Sequence, residues 1–172
     1  MPIEKKLKPT VGGLFSGVGG IELGFKNAGF QPVWATDIDR YAYKTYAANF
    51  DPNKYFLMDI DQFIHTKLDW LPSVDVLTAG FPCQAFSLAG YRKGFEDPRG
   101  NLFLKIIKAL NKLEQKPEII FLENVKNFVT HNKGNTWSTV KHLLEKQNYS
   151  VTQIILNTSE YTVIPQNRER TY

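Results

Sequence analysis

Cys83 is the first residue whose type and position could perform covalent chemistry. It is the only cysteine of the chain and stands in the segment GFPCQ, residues 80–84, directly after the apolar run 74–79. A thiolate is a strong nucleophile, and a cysteine on a loop at the ligand edge of a sheet can be exposed and activated. A lone cysteine can also be a small buried apolar residue. The preceding proline and the polar, glycine-bearing stretch 89–100 favour the nucleophile.

One glutamate and two arginines follow later apolar runs. Glu123 ends the predicted strand 118–122, where partial desolvation would let it act as a general acid; capping a helix or pairing with an arginine is the alternative. Arg168 and Arg170 stand in PQNRER, residues 165–170. In an extended segment they point to one face, where two guanidinium groups can hold a carboxylate, a phosphate or a base carbonyl. Solvated surface arginines would show the same pattern.

A glycine-rich turn and two aspartates are typical of a nucleotide-like ligand. The turn FSGVGG, residues 15–20, joins an apolar run to a segment of helical periodicity, so its backbone and the helix N-terminus could approach an anionic group. Asp37 lies 22 positions after Phe15, near the offset of about 20 at which an acidic residue meets ribose hydroxyls. Asp59 could accept a hydrogen bond from an adenine amino group. The alternatives are an ordinary turn, a helix cap and a loop aspartate.

The stretch GYRKGFEDPRG, residues 90–100, could form a lid. It holds three glycines as possible hinges and three cations, Arg92, Lys93 and Arg99, that could meet phosphates. A mobile loop over a nucleic-acid substrate has this composition. A long solvated surface loop is the alternative.

The elements that must position these residues alternate between strand and helix. Apolar runs predict strands over 10–14, 32–36, 55–58, 74–79, 118–122 and 150–156, with a further strand near Thr171, and helical periodicity covers 20–28, 39–49, 102–113 and 136–146. This alternation predicts an α/β fold with a mostly parallel sheet and helices on both faces. Ligands of such sheets bind at the carboxyl ends of the strands, where the residues named above follow.

Composition narrows the class of protein. With 172 residues, 42% of them hydrophobic, the chain predicts one compact domain over residues 1–172. No apolar run approaches the roughly 18 residues of a membrane helix, and no signal peptide is recognisable, so we expect a cytoplasmic protein. One cysteine excludes an intrachain disulfide, and the three histidines lack metal-ligand spacing, so we expect no metal. The net charge of +4 suits a polyanion but is common among other proteins.

Taken together, the motifs resemble those of bacterial cytosine-C5 DNA methyltransferases of the restriction-modification type. They occur in the order FSGVGG, GFPCQAFS, GFEDPRGNLF, FLENVKNF and IPQNRER, and the resemblance extends from about Val11 to Tyr172. It implies a Rossmann-like fold that depends on S-adenosylmethionine, and double-stranded DNA as partner. The catalytic residues that it implies are Cys83, Glu123, Arg168 and Arg170. The cofactor residues are Phe15, Ser16, Gly17, Gly19, Gly20, Asp37, Ile38, Asp59, Ile60, Gly80, Pro82 and Leu102, and the DNA contacts are Gln84, Ser87, Arg92, Lys93 and Arg99.

The resemblance also implies a reaction. Cys83 would attack C6 of a cytosine flipped from the duplex, because C6 is out of reach while the base is stacked. Glu123 would contact N3, and Arg168, with Arg170, would stabilise the activated base and position Glu123. C5 would then accept the methyl group, and loss of the C5 proton would release Cys83.

The sequence departs from the family pattern in three places. Gly13 stands where the family usually has an acidic residue, and Asp37 with Ile38 stand where it has a glutamate and an aromatic residue, which predicts weaker cofactor binding. The motifs of the C-terminal half, including target recognition, are absent. We therefore expect a C-terminally truncated fold, a missing region or second polypeptide that supplies the rest, little activity in isolation, and an unpaired sheet edge at the strand near Thr171.

Three other functions fit part of the pattern. An RNA (tRNA) cytosine-C5 methyltransferase shares the cysteine and glutamate chemistry, although PCQAFS is closer to the restriction-modification members. A degenerate, non-catalytic remnant would keep the fold. A nicotinamide-dependent oxidoreductase would explain the glycine turn and Asp37 but neither Cys83 nor Glu123.

Overall fold

The computed structural model describes residues 8–82 and 102–172. These residues belong to two compact units. The first comprises residues 8–80 and Ala109–Phe121, and the second comprises residues 81–82, 102–108 and Leu122–Tyr172. The single catalytic and cofactor-binding domain over residues 1–172 stays a prediction. None of the described helices is both long enough and apolar enough to span a membrane.

The first unit alternates strands and helices, as the apolar pattern predicts. The strands are β1 (Thr10–Leu14), β2 (Gln31–Asp37), β3 (Tyr55–Leu57) and β4 (Val76–Gly80), and the helices are α1 (Gly20–Asn27), α2 (Arg40–Asn49) and α3 (Ile60–Thr66). Short 3-10 helices cover Pro52–Lys54 and Leu68–Trp70. Strand β1 pairs in parallel with β2 and β4, and β2 pairs in parallel with β3.

The rest of the chain adds three strands and three helices to the described elements. They are α4 (Leu102–Lys112), β5 (Ile119–Val125), α5 (Asn135–Lys146), β6 (Ile155–Asn157), α6 (Thr158–Tyr161) and β7 (Glu169–Thr171). Two 3-10 helices cover Lys126–Phe128 and His131–Gly134. The order of hydrogen-bonded strands is β3-β2-β1-β4-β5-β7-β6, a seven-stranded, mostly parallel sheet.

Two expectations about the strands at the end of the second unit are wrong. Strand β7 pairs antiparallel with β5 on one side and with β6 on the other, so the expected unpaired edge near Thr171 is wrong. The strand predicted over 150–156 is also mostly wrong, because β6 begins only at Ile155. Before it, Ile154 and Tyr172 exchange backbone hydrogen bonds of 3.0 and 2.8 Å. The antiparallel pairing of β6 with β7 therefore continues by one residue pair beyond the two strands.

The core of the first unit is aromatic beneath the glycine-rich turn. Tyr46 is 1% exposed, and its ring centroid lies 4.5 Å from those of Phe50 and Tyr55. Such a cluster fixes helix α2 against β3, because buried aromatic rings contribute large apolar areas. It also forms the floor on which the turn between β1 and α1 rests.

Candidate active site

The register of the first unit brings three strand ends together. Leu14 of β1 lies opposite Thr36 of β2 and opposite Ala79 of β4. The residues that follow these positions, Phe15, Asp37 and Gly80, therefore lie at the carboxyl edge of the parallel strands. This is the edge at which open α/β sheets bind ligands.

The turn after β1 has a backbone that few side chains tolerate. Phe15, Gly17 and Gly19 have φ angles of 55°, 53° and 87°. The Ser16 amide donates to the Thr36 carbonyl at 3.1 Å, and the Gly17 amide donates to Asp37 Oδ2 at 2.8 Å. A non-glycine residue such as Phe15 in this left-handed region costs on the order of 1–3 kcal/mol, and such strain is concentrated at ligand sites.

Asp37 and Asp39 have different tasks. Asp39 caps α2, because its side chain accepts from the amides of Tyr41 and Ala42 at 2.7 and 3.2 Å. Asp37 instead accepts from the amides of Gly17 and Asp39, at 2.8 and 2.9 Å. An ionised carboxylate offers about four acceptor positions, so Asp37 retains capacity for two hydroxyl donors. The helix-cap alternative thus applies to Asp39.

The other predicted cofactor residues of the first unit differ in exposure. Asp59 is exposed and caps α3 by accepting from the Asp61 amide at 2.8 Å. Ile60 is 7% exposed, whereas Ile38 is 69% exposed. A Cβ built on Gly17 or Gly20 would meet nothing within 4 Å. The turn, the Asp37 carboxylate and the open space at these glycines fit an adenosine-like ligand.

The second unit holds the predicted catalytic glutamate. Glu123 lies inside β5 rather than after it, and its Oε1 lies 2.9 Å from Nε of Arg170. Both side chains are about one-fifth exposed. Arg170 also donates from Nη1 to the Glu169 carbonyl at 2.8 Å. Its guanidinium is thus held from two directions, which fixes the direction of the Glu123 carboxylate.

Arg168 is placed differently from Arg170. It precedes β7 and is exposed, and its backbone contacts Asn157 and Thr158 rather than Glu123. The two arginines nevertheless share a neighbour. Burial raises the pKa of Tyr172, the Glu123 carboxylate raises it further, and both guanidinium groups lower it. Of the two predicted arginines, it is Arg170 that orients Glu123.

Asn124 fixes the backbone that leads to Cys83. Its buried side chain donates from Nδ2 to the Phe81 carbonyl at 2.9 Å, while its Oδ1 accepts from the Val125 amide at 2.9 Å. Phe81 is 4% exposed and packs against the rings of Phe103 and Phe128. Pro82 is exposed, and Leu102 is half-buried at the start of α4.

A family model for the C-5 cytosine-specific DNA methylase matches residues 10–172. The chain belongs to this family.

Relatives within the C-5 cytosine-specific DNA methylases are similar over nearly the whole chain. Type II methyltransferase M.Bsp6I of Bacillus sp. (strain RFL6) is 46% identical over 164 residues, which cover 94% of this chain and 50% of that protein. Type II methyltransferase M.HhaI of Haemophilus parahaemolyticus is 43% identical over 159 residues, which cover 92% of this chain and 46% of that protein. The chain spans about half the length of these relatives.

A solved structure shares the fold. The Dnmt2 methyltransferase of S. pombe superposes with a TM-score of 0.71 at 28% identity, over 95% of this chain and 49% of that one. This similarity confirms the Rossmann-like fold that the motifs predicted.

Several predicted residues of the methylase pattern lie outside the described residues. They are Cys83, Gln84, Ser87, Arg92, Lys93 and Arg99, and their roles stay predictions. Within residues 8–82 and 102–172, no group of three or more His, Asp or Glu side chains could hold a metal ion.

Glu22 is the residue of this methylase chain that sequence reasoning missed. It lies on α1, next to the turn, yet it is 1% exposed. Its Oε1 accepts from the Ser16 hydroxyl at 2.7 Å, and the Thr78 hydroxyl is 3.4 Å away. Burial raises the pKa of Glu22, and the Ser16 hydrogen bond opposes that rise. A signal was available, since Glu22 interrupts the apolar pattern of Ile21, Leu23 and Phe25.

Gly19 offers a direct test of the turn of this methylase. We expect Gly19→Ala to lower the free energy of unfolding by on the order of 2 kcal/mol. The reason is a φ of 87° together with a Cβ only 2.7 Å from ring atoms of Phe50 and Tyr46. Urea unfolding measures the change.

Gly24→Ala is the matched control for Gly19→Ala. Gly24 lies inside helix α1, which follows the turn, without a positive φ and with nothing within 4 Å of a built Cβ. Alanine there should stabilise the protein by about 0.5–1 kcal/mol. Equal unfolding midpoints for the two variants would contradict the close packing of the turn.

Proposed function

We propose that the chain provides the cofactor-binding and catalytic part of a DNA (cytosine-5-)-methyltransferase of a restriction-modification system. Membership of the C-5 cytosine-specific methylase family supports the reaction. The description of that family as a DNA methylase supports DNA as the substrate, and the names of the relatives, Type II methyltransferases, support the restriction-modification type. The structural observation that carries the proposal is the pair of Glu123 with Arg170 at 2.9 Å, which presents a carboxylate of fixed direction from strand β5.

The residues of the first unit would hold S-adenosylmethionine. Asp37 would accept hydrogen bonds from the ribose hydroxyls, and Asp59 with Ile60 and Ile38 would contact the adenine. The turn Phe15, Ser16, Gly17, Gly19 and Gly20 would line the rest of the site, with Gly80 at its border. By the resemblance of the motifs, Pro82 and Leu102, which belong to the second unit, are further cofactor-binding candidates. When bound, S-adenosylmethionine supplies an electrophilic methyl group for C5 of cytosine.

The remaining chemistry belongs to side chains of this chain. The Cys83 thiolate forms a bond to C6 of a flipped cytosine, and the electrons of the C5–C6 double bond become available at C5. Glu123 contacts N3 and stabilises the charge that develops in the ring, and Arg170, with Arg168 nearby, holds Glu123 and the base. Transfer of the C5 proton to a base re-forms the double bond and expels the thiolate. Gln84, Ser87, Arg92, Lys93 and Arg99 would contact the DNA.

A second region is part of the proposal. The relatives are about twice as long as this chain, so target recognition would reside in a further region or a second polypeptide. Purified residues 1–172 should then transfer few methyl groups by themselves. Robust methylation of duplex DNA by this chain alone would contradict that dependence.

The experiment that tests the function restores the other half. Residues 1–172 would be fused to the part of M.Bsp6I that they do not match, and transfer of a labelled methyl group would be measured on duplex DNA and on tRNA. We expect labelled DNA, because PCQAFS and the relatives are of the restriction-modification type. Labelling of tRNA alone would favour the RNA methyltransferase. A folded fusion that labels neither substrate would favour a non-catalytic remnant.

A further inference from the structure

The buried carboxyl group of Glu22 contacts the turn of the proposed cofactor site from below. A Cβ built on Gly13 would collide with Glu22 Oε1 and with Ser16 Oγ, so the carboxyl group fills the space that a side chain at position 13 would need. Thr78 closes the third side, with its hydroxyl 3.4 Å from Glu22 Oε1 and from the Gly12 carbonyl. Strands β1 and β4 and helix α1 thus surround one carboxyl group inside the first unit.

The hydrogen bonds of this carboxyl group are unequal. Both neighbouring hydroxyls approach Oε1, whereas the buried Oε2 has no hydrogen-bond partner among the described residues. An ionised oxygen without a partner is costlier in the interior than the unpartnered hydroxyl of a neutral acid, and Oε1 can accept from the Ser16 hydroxyl in either form. The geometry fits a neutral acid whose Oε1 accepts hydrogen bonds.

Ser16 connects Glu22 to the rest of the turn. Its hydroxyl donates to Glu22, its amide donates to the Thr36 carbonyl, and its carbonyl accepts from the Gly19 amide at 2.9 Å. Gly17, the next residue, donates to Asp37. Loss of the Glu22 contact would release Ser16 and with it the strained backbone on both sides.

We propose that Glu22 is a positioning residue for the cofactor site, because its buried carboxyl group holds Ser16 and thereby the turn from Phe15 to Gly19 in its ligand-binding conformation. This role rests on the proposed function only for the identity of the ligand. Glu22 acts through Ser16 and is not placed in contact with the reacting atoms.

The test compares four variants of the 172-residue chain. Glu22→Ala removes the acceptor, Ser16→Ala removes the donor, and Glu22→Gln keeps an acceptor oxygen without an ionisable group. Glu145→Gln makes the same chemical change at an exposed carboxylate of α5, which pairs with Lys141 at 3.8 Å. The measurements are the amide NMR resonances of Gly17 and Gly19 without ligand, and the Kd for S-adenosylhomocysteine.

We expect Glu22→Ala and Ser16→Ala to shift both resonances and to raise the Kd about tenfold, the effect of losing one buried hydrogen bond. Glu22→Gln should restore both resonances and bring the Kd to within about twofold of that of the unchanged chain. Glu145→Gln should alter neither the resonances nor the Kd. Wild-type affinity and resonances in Ser16→Ala would overturn the proposal, as would a Glu22→Gln variant as impaired as Glu22→Ala. If Glu22→Ala does not fold, Ser16→Ala decides.

The two proposals can fail separately. If the unchanged chain does not bind S-adenosylhomocysteine, the cofactor assignment fails, and the ligand-free resonances still decide the role of Glu22. If the chain binds and Ser16→Ala binds equally well, only the positioning role fails.

The pH dependence of stability provides an independent readout. The charged or titratable groups facing Glu22 are Asp37, which raises the pKa of Glu22, and Tyr46 and Tyr55, whose own pKa values Glu22 raises. The unfolded chain loses the Glu22 proton near its ordinary pKa of 4.5, whereas the folded chain, in which the pKa is raised, keeps it. The free energy of unfolding therefore falls as the pH rises from 4.5 to the pKa of the folded chain. Glu22→Gln should escape this fall. The urea midpoint of Glu22→Gln minus that of the unchanged chain should therefore increase as the pH rises through this window. A difference that stays constant with pH would show that Glu22 is ionised in the folded chain.

Discussion

Cys83→Ser is expected to abolish covalent trapping of the fused methyltransferase on duplex DNA that contains 5-fluorocytosine. Serine has nearly the same shape, but its hydroxyl is a far weaker nucleophile than a thiolate unless a base activates it. Fluorine at C5 blocks the last step, because it cannot leave as a proton does, so the cysteine adduct persists. Electrophoresis under denaturing conditions and the mass of the adduct measure the outcome. The unsubstituted enzyme should trap, and Cys83→Ser should give no adduct above background.

Two controls make the trapping result specific. Duplex DNA with ordinary cytosine should leave no stable adduct, because elimination completes the reaction. Glu145→Gln, remote from every proposed site residue in the sequence, should trap as the unchanged enzyme does. An adduct that persists in Cys83→Ser would remove Cys83 from the mechanism, whereas a fusion that methylates DNA without trapping would require a different chemical route.

The sequence predicts those parts of the fold in which local pattern and burial agree. Strand β1 has the predicted bounds, Thr10–Leu14, and four of its five residues are buried, so pattern and burial agree there. The run 150–156 is also rich in apolar residues, but Ile154 and Ile155 are 51% and 41% exposed. Their backbone partners are Tyr172 and Thr171, more than ten residues later. Pairing of distant segments is decided by tertiary contacts, which a local pattern does not contain.

In the candidate site, too, local pattern predicts some positions and tertiary contacts decide the others. The strand ends that carry Phe15 and Asp37 are predictable, because parallel strands place their carboxyl ends at one edge. Glu123 lies inside β5, two residues before the end of that strand. The choice of Arg170 over Arg168 as the partner of Glu123 depends on the register of β7 with β5, which the sequence does not fix. Glu22 was missed because an acidic residue on a helix is normally expected to face solvent.

The Gly13 departure from the family pattern has a structural explanation. The missing side chain at position 13 leaves room for the Glu22 carboxyl group, which lies beside the Ser16 hydroxyl. A carboxyl group is therefore present below the turn, although it comes from α1 instead of β1. The expectation of weaker cofactor binding rested on Gly13 and on Asp37 with Ile38, and the part that concerns position 13 depends on how well Glu22 substitutes for the missing acid.

Arg170→Ala is expected to lower the turnover of the fused enzyme by about 10²–10³-fold, the usual cost of removing one preorganised charge partner from a reacting centre. The pair joins Nε of Arg170 to Oε1 of Glu123 at 2.9 Å, with both side chains about one-fifth exposed. Without the guanidinium, the Glu123 carboxylate loses its fixed direction. Arg170→Lys should recover only part of the rate, because one ammonium group cannot replace the fork that also reaches the Glu169 carbonyl. Single-turnover methylation of duplex DNA measures the rate.

Substitution of two neighbouring cations tests whether Arg170 acts by orienting Glu123 or only by its positive charge. Lys126 pairs with Glu169 at 2.7 Å, but both side chains are well exposed, so Lys126→Ala should change the rate less than about threefold. Arg168→Ala should reduce the rate less than Arg170→Ala does, because Arg168 is exposed and its backbone bonds to Asn157 and Thr158, whereas Arg170 makes the ion pair with Glu123. Similar losses in Arg168→Ala and Arg170→Ala would mean that the two arginines act together on the DNA. A loss confined to Arg170→Ala would support the proposal that the ion pair orients the Glu123 carboxylate toward the base.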